Sequence, residues 1–218
     1  MTILIATGLL REARLMAGPD IVAIAGGGDG IHLEQRLDGA IDAHPHVRAL
    51  LSSGLAGALD SGLRPGDVII GKEGNDQLIA ALRRALPQAL SGQVLGRDAP
   101  VATVGEKQAL HLQTHAHAVD MESHIVARVS ARRGLPFAVL RVISDAATDR
   151  LPPAALCGMR SDGSMAIGAV LGSLARNPIQ LPALVRTAWH AQRGFRALLR
   201  CYRSVRLVDL IEHALDMP

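Results

Sequence analysis

The sequence predicts an α/β protein, and three observations carry the prediction. Short apolar runs of strand length (TILIA, IVAIA, RALLSS, VII and PFAVLRVI) recur between stretches with helical spacing. Hydrophobic residues make up 49% of the 218 residues and charged residues 20%, the balance of a globular chain with a sizeable core rather than a disordered one. After the adjacent prolines Pro152 and Pro153 the character changes to helical and basic. One domain over residues 1–218 is expected, with 150–218 as a basic helical extension.

Taken in order, Thr2 to Ala6 reads as a buried strand stopped by Thr7-Gly8, and a helix with Glu12 in its first turns follows. Ile21 to Ala25 is the second strand. The glycines of Gly26-Gly27-Gly28-Asp29-Gly30 then turn the chain into a helix. Such a loop lets backbone amides approach an anion, and a tight turn needing positive φ explains it equally well. GGGDGI fails GxGxxG at its last position and no Walker lysine follows, which weighs against a dinucleotide or P-loop site. Arg48 to Ser53 gives a third strand leading into Gly54-Leu55-Ala56-Gly57, and Pro65-Gly66 turns into a Val-Ile-Ile strand.

Helical spacing spans Gln77 to Leu90, and Pro100 to Val104 (PVATV) reads as a strand. A helix over Met121 to Arg133 is apolar at Ile125, Val126 and Val129. Its last turn is basic and Gly134 stops it. Pro136 to Ile143 is an apolar strand that delivers Ser144 and Asp145. Met165 to Leu174 reads as a helix, Asn177-Pro178 interrupts, and Leu181 to Val205 forms an amphipathic helix with a basic face.

Composition narrows the function. Aromatics are 2%, too few for a nucleic-acid surface built on base stacking. Cys157 and Cys201 match no metal or redox spacing and read as buried or incidental thiols in a reducing compartment. His111, His115 and His117 lack an HExxH pattern or a nearby cysteine, so solvated or helix-end histidines are expected rather than a metal site. The N-terminus lacks signal-peptide features, and no apolar run reaches the roughly 18 residues of a membrane span, which points to a cytoplasmic protein. Arg176 to Arg206 contains seven arginines and no acid. Subtracting these from the net +3 leaves the remainder at −4, so the basic segment is the part drawn to anionic surfaces.

In parallel α/β sheets ligands bind at the carboxyl ends of the strands, which places Asp145 in a site beside Glu122. Two carboxylates at neighbouring element ends suggest chemistry on a sugar. VDMES (Val119 to Ser123), followed about twenty residues later by RVISD (Arg141 to Asp145), resembles the paired VEMEA and RAISD motifs of the purine nucleoside phosphorylase and methylthioadenosine nucleosidase superfamily. That likeness covers Met1 to Asp145. DRLPPAAL and SLARNPIQLPALVRTA are similar, more narrowly, to the hopanoid-associated phosphorylases, which act on adenosylhopane, and extend the likeness to about Arg200.

The resemblance implies a mixed central sheet flanked by helices and cleavage of a purine N-glycosidic bond without a cofactor. Asp145 would protonate the purine at N7, its proton held by apolar burial between Val142-Ile143 and Ala146-Ala147. Glu122 would stay ionised and hold the ribose hydroxyls, with Met121 packed on sugar or base and Ser144 beside the acid. Glu12 would orient the nucleophile. Gly54, Ala56 and Gly57 would lie beneath the ribose, although Leu55 occupies a position where the superfamily has serine. Inorganic phosphate as co-substrate would draw on Gly8, Arg11, Gly27, Gly28, Ser52 and Ser53. The family name tips the nucleophile to phosphate, whereas Glu12 and Leu55 look closer to the hydrolases.

A helix cap for Asp145 and a solvated Glu12 are the plainer readings of those positions. A homo-oligomer is implied, as is a peripheral contact of Leu181 to Arg206 with anionic lipid, with Trp189, Phe195 and Leu199 entering the interface. A soluble methylthioadenosine-type nucleosidase and a non-catalytic nucleoside binder at the membrane surface are the alternative functions.

Overall fold

The computed structural model describes residues 1–160 and 162–216. In chain order it runs β1 (Thr2–Thr7), α1 (Leu10–Met16), β2 (Ile21–Ala25), α2 (Gly30–Ala43), β3 (Val47–Ala58), β4 (Val68–Gly71) and α3 (Asp76–Ala85). Then come β5 (Leu90–Gly92), β6 (Val94–Gly96), α4 (Val104–Thr114), β7 (Ala118–Asp120), α5 (Ser123–Arg133) and β8 (Phe137–Asp145). The chain ends in α6 (Pro153–Leu156), α7 (Ile167–Arg176), a 3-10 turn at Pro178–Gln180, α8 (Leu181–Ser204) and α9 (Leu207–Asp216).

The strands join in one sheet of order β2-β1-β3-β8-β4-β5, with β7 on the far end of β3 and β6 on β7. β2, β1, β3 and β8 are parallel, while β4 is antiparallel to β8 and β7 to β3, so the sheet is mixed. Period-two alternation sorts the strand residues between two helical layers. Ile3 and Ile5 pack with Leu51, Leu140, Leu78 and Leu82 of α3, Leu198 of α8, and Leu207 and Ile211 of α9. Leu4 and Ala6 pack on the opposite face with Leu33 and Leu37 of α2 and Ile125, Val126 and Val129 of α5. Both faces of the parallel part are therefore covered, which is why its strands read as continuous apolar runs. Truncating a fully buried side chain such as Leu198 to alanine is expected to cost ~2–5 kcal/mol.

Several boundaries differ from those expected. Residues 100–104 form no strand. Thr103 Oγ1 accepts the Glu106 N–H at 3.2 Å and Glu106 Oε2 accepts the Thr103 N–H at 3.0 Å, a capping box that starts α4 at Val104. The helix expected over Gln77 to Leu90 ends at Ala85, just before Pro87, and Leu90 opens β5. β3 continues through Gly54 to Ala58, because β8 pairs along its length from Leu50↔Phe137 to Gly57↔Asp145.

The helix expected from Met121 begins instead at Ser123. Asp120 Oδ1 accepts the N–H groups of Glu122 (3.3 Å) and Ser123 (3.1 Å), holding Met121 and Glu122 in the turn ahead of it. The basic turn of α5 is used against α2, where Arg128, Arg132 and Arg133 pair with Glu34, Asp38 and Asp42. Helix α9 was not foreseen, and it packs against α3 in the core.

Candidate active site

The carboxyl ends of β1, β3 and β8, with the β7–α5 turn, open into a cavity of about 510 Å³. Gly8, Leu9 and Glu12 come from the β1–α1 connection and Leu55, Ala56 and Gly57 from β3. Asp120, Met121 and Glu122 come from the turn after β7, and Ser144 and Asp145 from the end of β8. Four buried carboxylates thus border it: Glu12, Asp120 and Glu122 around Arg141, and Asp145 beside Lys107.

Glu12 is held at both oxygens. Oε2 accepts the Leu9 N–H at 2.7 Å and Oε1 accepts the Leu55 N–H at 2.8 Å. Burial pushes its pKa up, opposed by those two amides and by Arg141. Behind it Gly54 has φ +147°, and a Cβ there would lie 2.9 Å from Glu12 Oε2 and 3.0 Å from an Arg141 nitrogen, so only glycine fits. Arg141, fully buried in β8, places Nε 2.6 Å from Asp120 Oδ2 and one terminal nitrogen 3.1 Å from Glu122 Oε2. The same nitrogen donates to Ser52 Oγ at 2.6 Å. One guanidinium therefore contacts two acids, Asp120 and Glu122, and its charge also acts on Glu12. Burial, and then the nearby charges of Asp120 and Glu12, push Glu122 up to about 7 against the pull of Arg141, so its surroundings oppose the ionised form that the Arg141 contact favours.

Asp145 does not sit in a purely apolar setting. Its Oδ2 lies 2.5 Å from Lys107 Nζ, and its Oδ1 accepts from Ser144 Oγ at 2.8 Å. Lys107, on α4, is fully buried and also donates to the carbonyls of Ala146 (2.8 Å) and Asp149 (3.0 Å). The Asp149 carboxylate in turn accepts the Ala146 N–H at 3.0 Å and contacts His190 (2.9 Å) and Arg186 (3.4 Å) of α8. This ties α8 to the loop that follows β8.

Away from the carboxylates the cavity is apolar. Leu151, Ala154, Leu156, Met159, Met165 and Val170 come from the α6–α7 segment, and Leu184, Ala188 and Ala191 from α8. This roof is joined to the Glu12 loop at Gly163. The Gly163 carbonyl accepts the Leu10 N–H at 2.9 Å, and a Cβ on Gly163 would sit 2.8 Å from that nitrogen and 2.9 Å from Ala25 Cβ.

Of the residues singled out in the sequence, Glu12, Glu122, Asp145, Met121, Ser144, Gly8, Ala56 and Gly57 border this cavity, with Gly54 directly behind Glu12. Most of those expected to hold phosphate are directed elsewhere. Arg11 bonds Gln192 at 3.2 Å and lies 4.1 Å above the Phe195 ring. Ser52 is engaged by Arg141, and Ser53 is buried outside the cavity lining. The Gly27 amide is spent on the Gly8 carbonyl at 2.9 Å, and Gly28 abuts the Met159 and Met121 methyls. Among the described residues no lysine or arginine lines the cavity. The histidines are placed separately: His111 Nδ1 lies 2.8 Å from the Ala116 carbonyl, and His115 caps the end of α4.

Sequence reasoning missed Arg141 and Lys107. The signal for Arg141 was a charge inside an otherwise apolar strand. For Lys107 the only signal was its place one turn into a helix whose cap also went unrecognised.

Residues 73–156 match the family model of the phosphorylase superfamily. A comparison with curated proteins gave no match. Among solved structures, 5′-methylthioadenosine/S-adenosylhomocysteine nucleosidase from Helicobacter pylori is similar over 96% of this chain and 98% of its own, at 17% identity and a TM-score of 0.70. S-adenosylhomocysteine nucleosidase from Streptococcus pyogenes is similar over 94% of this chain and 96% of its own, at 16% identity and a TM-score of 0.63. Futalosine hydrolase of Helicobacter pylori matches 66% of this chain and 88% of its own, at 21% identity and a TM-score of 0.59. The chain thus has the mixed α/β fold of the nucleoside phosphorylases and nucleosidases.

Proposed function

We propose that this protein cleaves the N-glycosidic bond of a purine nucleoside that carries a large apolar group, releasing adenine, and that adenosylhopane is its substrate. The observation that carries the reading is a cavity bordered both by four buried carboxylates and by a roof of leucine, methionine, valine and alanine side chains. Its volume of about 510 Å³ suits a nucleoside head with the start of an apolar tail. Asp145 is the acid that delivers a proton to the departing purine, whose electron pair would otherwise make a poor anionic leaving group. Glu122 and Met121 hold the sugar. Glu12, fixed by two amides and with its pKa raised by burial, is suited to take a proton from an attacking water.

Water is favoured over phosphate as the nucleophile because most of the residues that would hold phosphate, Gly8 excepted, are engaged away from the cavity lining, and Leu55 borders the cavity where the superfamily has serine. Methylthioadenosine, the ligand of the Helicobacter nucleosidase type, is the second reading, supported by the similarity of fold.

The membrane contact is revised to the N-terminal half of α8. Among the described residues no helix is long and apolar enough to cross a membrane. Phe195 is buried and Leu199 half-buried, whereas Leu181, Val185 and Trp189 (63% exposed) are open to solvent, as is Ile179 (89%). Leu156 and Met165, exposed and also cavity-lining, continue this apolar surface to the site. Arg193 lies 5.2 Å from the Trp189 ring, and Arg196 and Arg200 are exposed farther along the helix. A lipid-borne substrate reaching the site from an anionic surface accounts for both features.

The test is adenine release from adenosylhopane and from 5′-methylthioadenosine, each with and without phosphate. Release from adenosylhopane at equal rates with and without phosphate is expected. Strict phosphate dependence overturns the choice of water, a preference for methylthioadenosine overturns the lipid substrate, and release from neither overturns the enzyme reading. Flotation with anionic vesicles at low salt tests the membrane contact, which falls if wild type stays unbound or if Trp189→Ser binds as well.

A further inference from the structure

We infer that Lys107 is the residue that supplies the proton Asp145 delivers, so that the two work as one acid; this rests on the N-glycosidic cleavage proposed above. Lys107 Nζ lies behind the cavity wall, 2.5 Å from Asp145 Oδ2, with its other donors on the Ala146 and Asp149 carbonyls. All three contacts converge on the end of β8, and Lys107 itself does not line the cavity. Burying an ammonium this completely carries a desolvation cost that an apolar pair would avoid, so the ion is costly as a mere fastening. Of the pair, Lys107 is the donor to Asp145 Oδ2, and Asp145 alone borders the cavity. As the C1′–N9 bond breaks and its electron pair moves onto the purine, a single proton passes from Lys107 Nζ to Asp145 and from Asp145 to the purine, leaving a neutral amine and an Asp145 carboxylate. Water adds to C1′ and passes its proton to Glu12. Transfer of that proton from Glu12 through water in the cavity to Asp145, and from Asp145 to Lys107, restores the resting state, and the sum is one nucleoside and one water to one purine and one free sugar. Lys107 is thus a positioning and proton-supplying residue that acts through Asp145.

The experiment compares two probes, 5′-methylthioadenosine and 4-nitrophenyl riboside, whose nitrophenolate leaves without protonation. Lys107→Met is expected to lower kcat for adenine release by at least ~100-fold, within the range of general acid catalysis, with KM little changed and nitrophenolate release retained. Lys107→Arg keeps a cation that does not give up its proton, so it is expected to fold and yet not restore adenine release. Should Lys107→Met fail to fold, the double variant Lys107→Met with Asp145→Asn removes both charges. It is expected to release adenine no more slowly than Asp145→Asn alone. Equal losses on both probes, recovery of turnover by Lys107→Arg, or additive losses in the double variant overturn the inference. Failure of wild type to release adenine from any nucleoside while still cleaving the nitrophenyl riboside instead overturns the purine assignment beneath it.

Discussion

Replacing Glu122 with glutamine should change how stability depends on pH, in a direction the site determines. Glu122 is pushed from an ordinary 4.5 up to about 7, first by burial and then by the charges of Asp120 and Glu12. The folded state therefore binds this proton more tightly than the unfolded chain. Its contribution to stability is fully present below pH 4.5 and is lost as the pH rises through about 7. At about 1.36 kcal/mol per unit, the interval corresponds to roughly 3 kcal/mol, shared across coupled carboxylates. Glutamine carries no charge at any pH and leaves Arg141 its contacts with Asp120 and Ser52. Urea unfolding of wild type and Glu122→Gln at pH 5.5 and pH 8 measures the effect. Wild type should lose up to ~2 kcal/mol more than the variant between those two values, the rest of the effect lying below pH 5.5. Parallel pH dependence in the two proteins would mean that Glu122 is ionised throughout and that the crowding of acids around Arg141 has been misread.

Asp145→Asn should lower kcat for adenine release by ~10²–10⁴-fold with little change in KM, and should also destabilise the fold by ~3–5 kcal/mol by leaving Lys107 unpaired; steady-state kinetics and denaturation check the two parts. Gly54→Ala should cost ~1–3 kcal/mol through its φ of +147° and displace Glu12, so thermal unfolding and turnover should both fall. Ala188→Trp should fill the apolar part of the cavity and reduce kcat/KM for an apolar-tailed nucleoside more than for 5′-methylthioadenosine; equal losses would show that the tail lies elsewhere.

Glu122 and Asp145 were legible because each closes an apolar run, and strand ends in an α/β sheet converge on one edge, whereas Glu12, in the first turn of α1, stood out only through the resemblance. The continuous apolar run Ile3, Leu4, Ile5 and Ala6 likewise marked β1 as a buried strand, while the sorting of its residues between two helical layers emerges only from the packing. Lys107 and Arg141 were not legible as site residues, because what makes them functional is a set of contacts across 38 and 89 positions of chain, to Asp145 and Ser52. The reading of residues 100–104 failed because β-branched composition outweighed a Thr103–Glu106 cap only three residues long. The C-terminal helix was legible as amphipathic. Its division into a buried half at Phe195 and Leu198 and an exposed half at Val185 and Trp189 depends on where the sheet ends, which local periodicity does not encode.

The junction at Gly163 bears on how such a site can change its substrate. A carbonyl in the roof segment holds the first amide of α1, and no side chain fits between them. The part that distinguishes one tail from another is thus threaded directly into the loop that aims Glu12. Exchange of residues 150–216 for the equivalent stretch of a relative would alter reactivity along with preference, unless the incoming segment kept a glycine at this joint. New specificities in this scaffold are therefore reached more readily by resizing individual roof residues such as Ala188 or Met159 than by grafting whole tails.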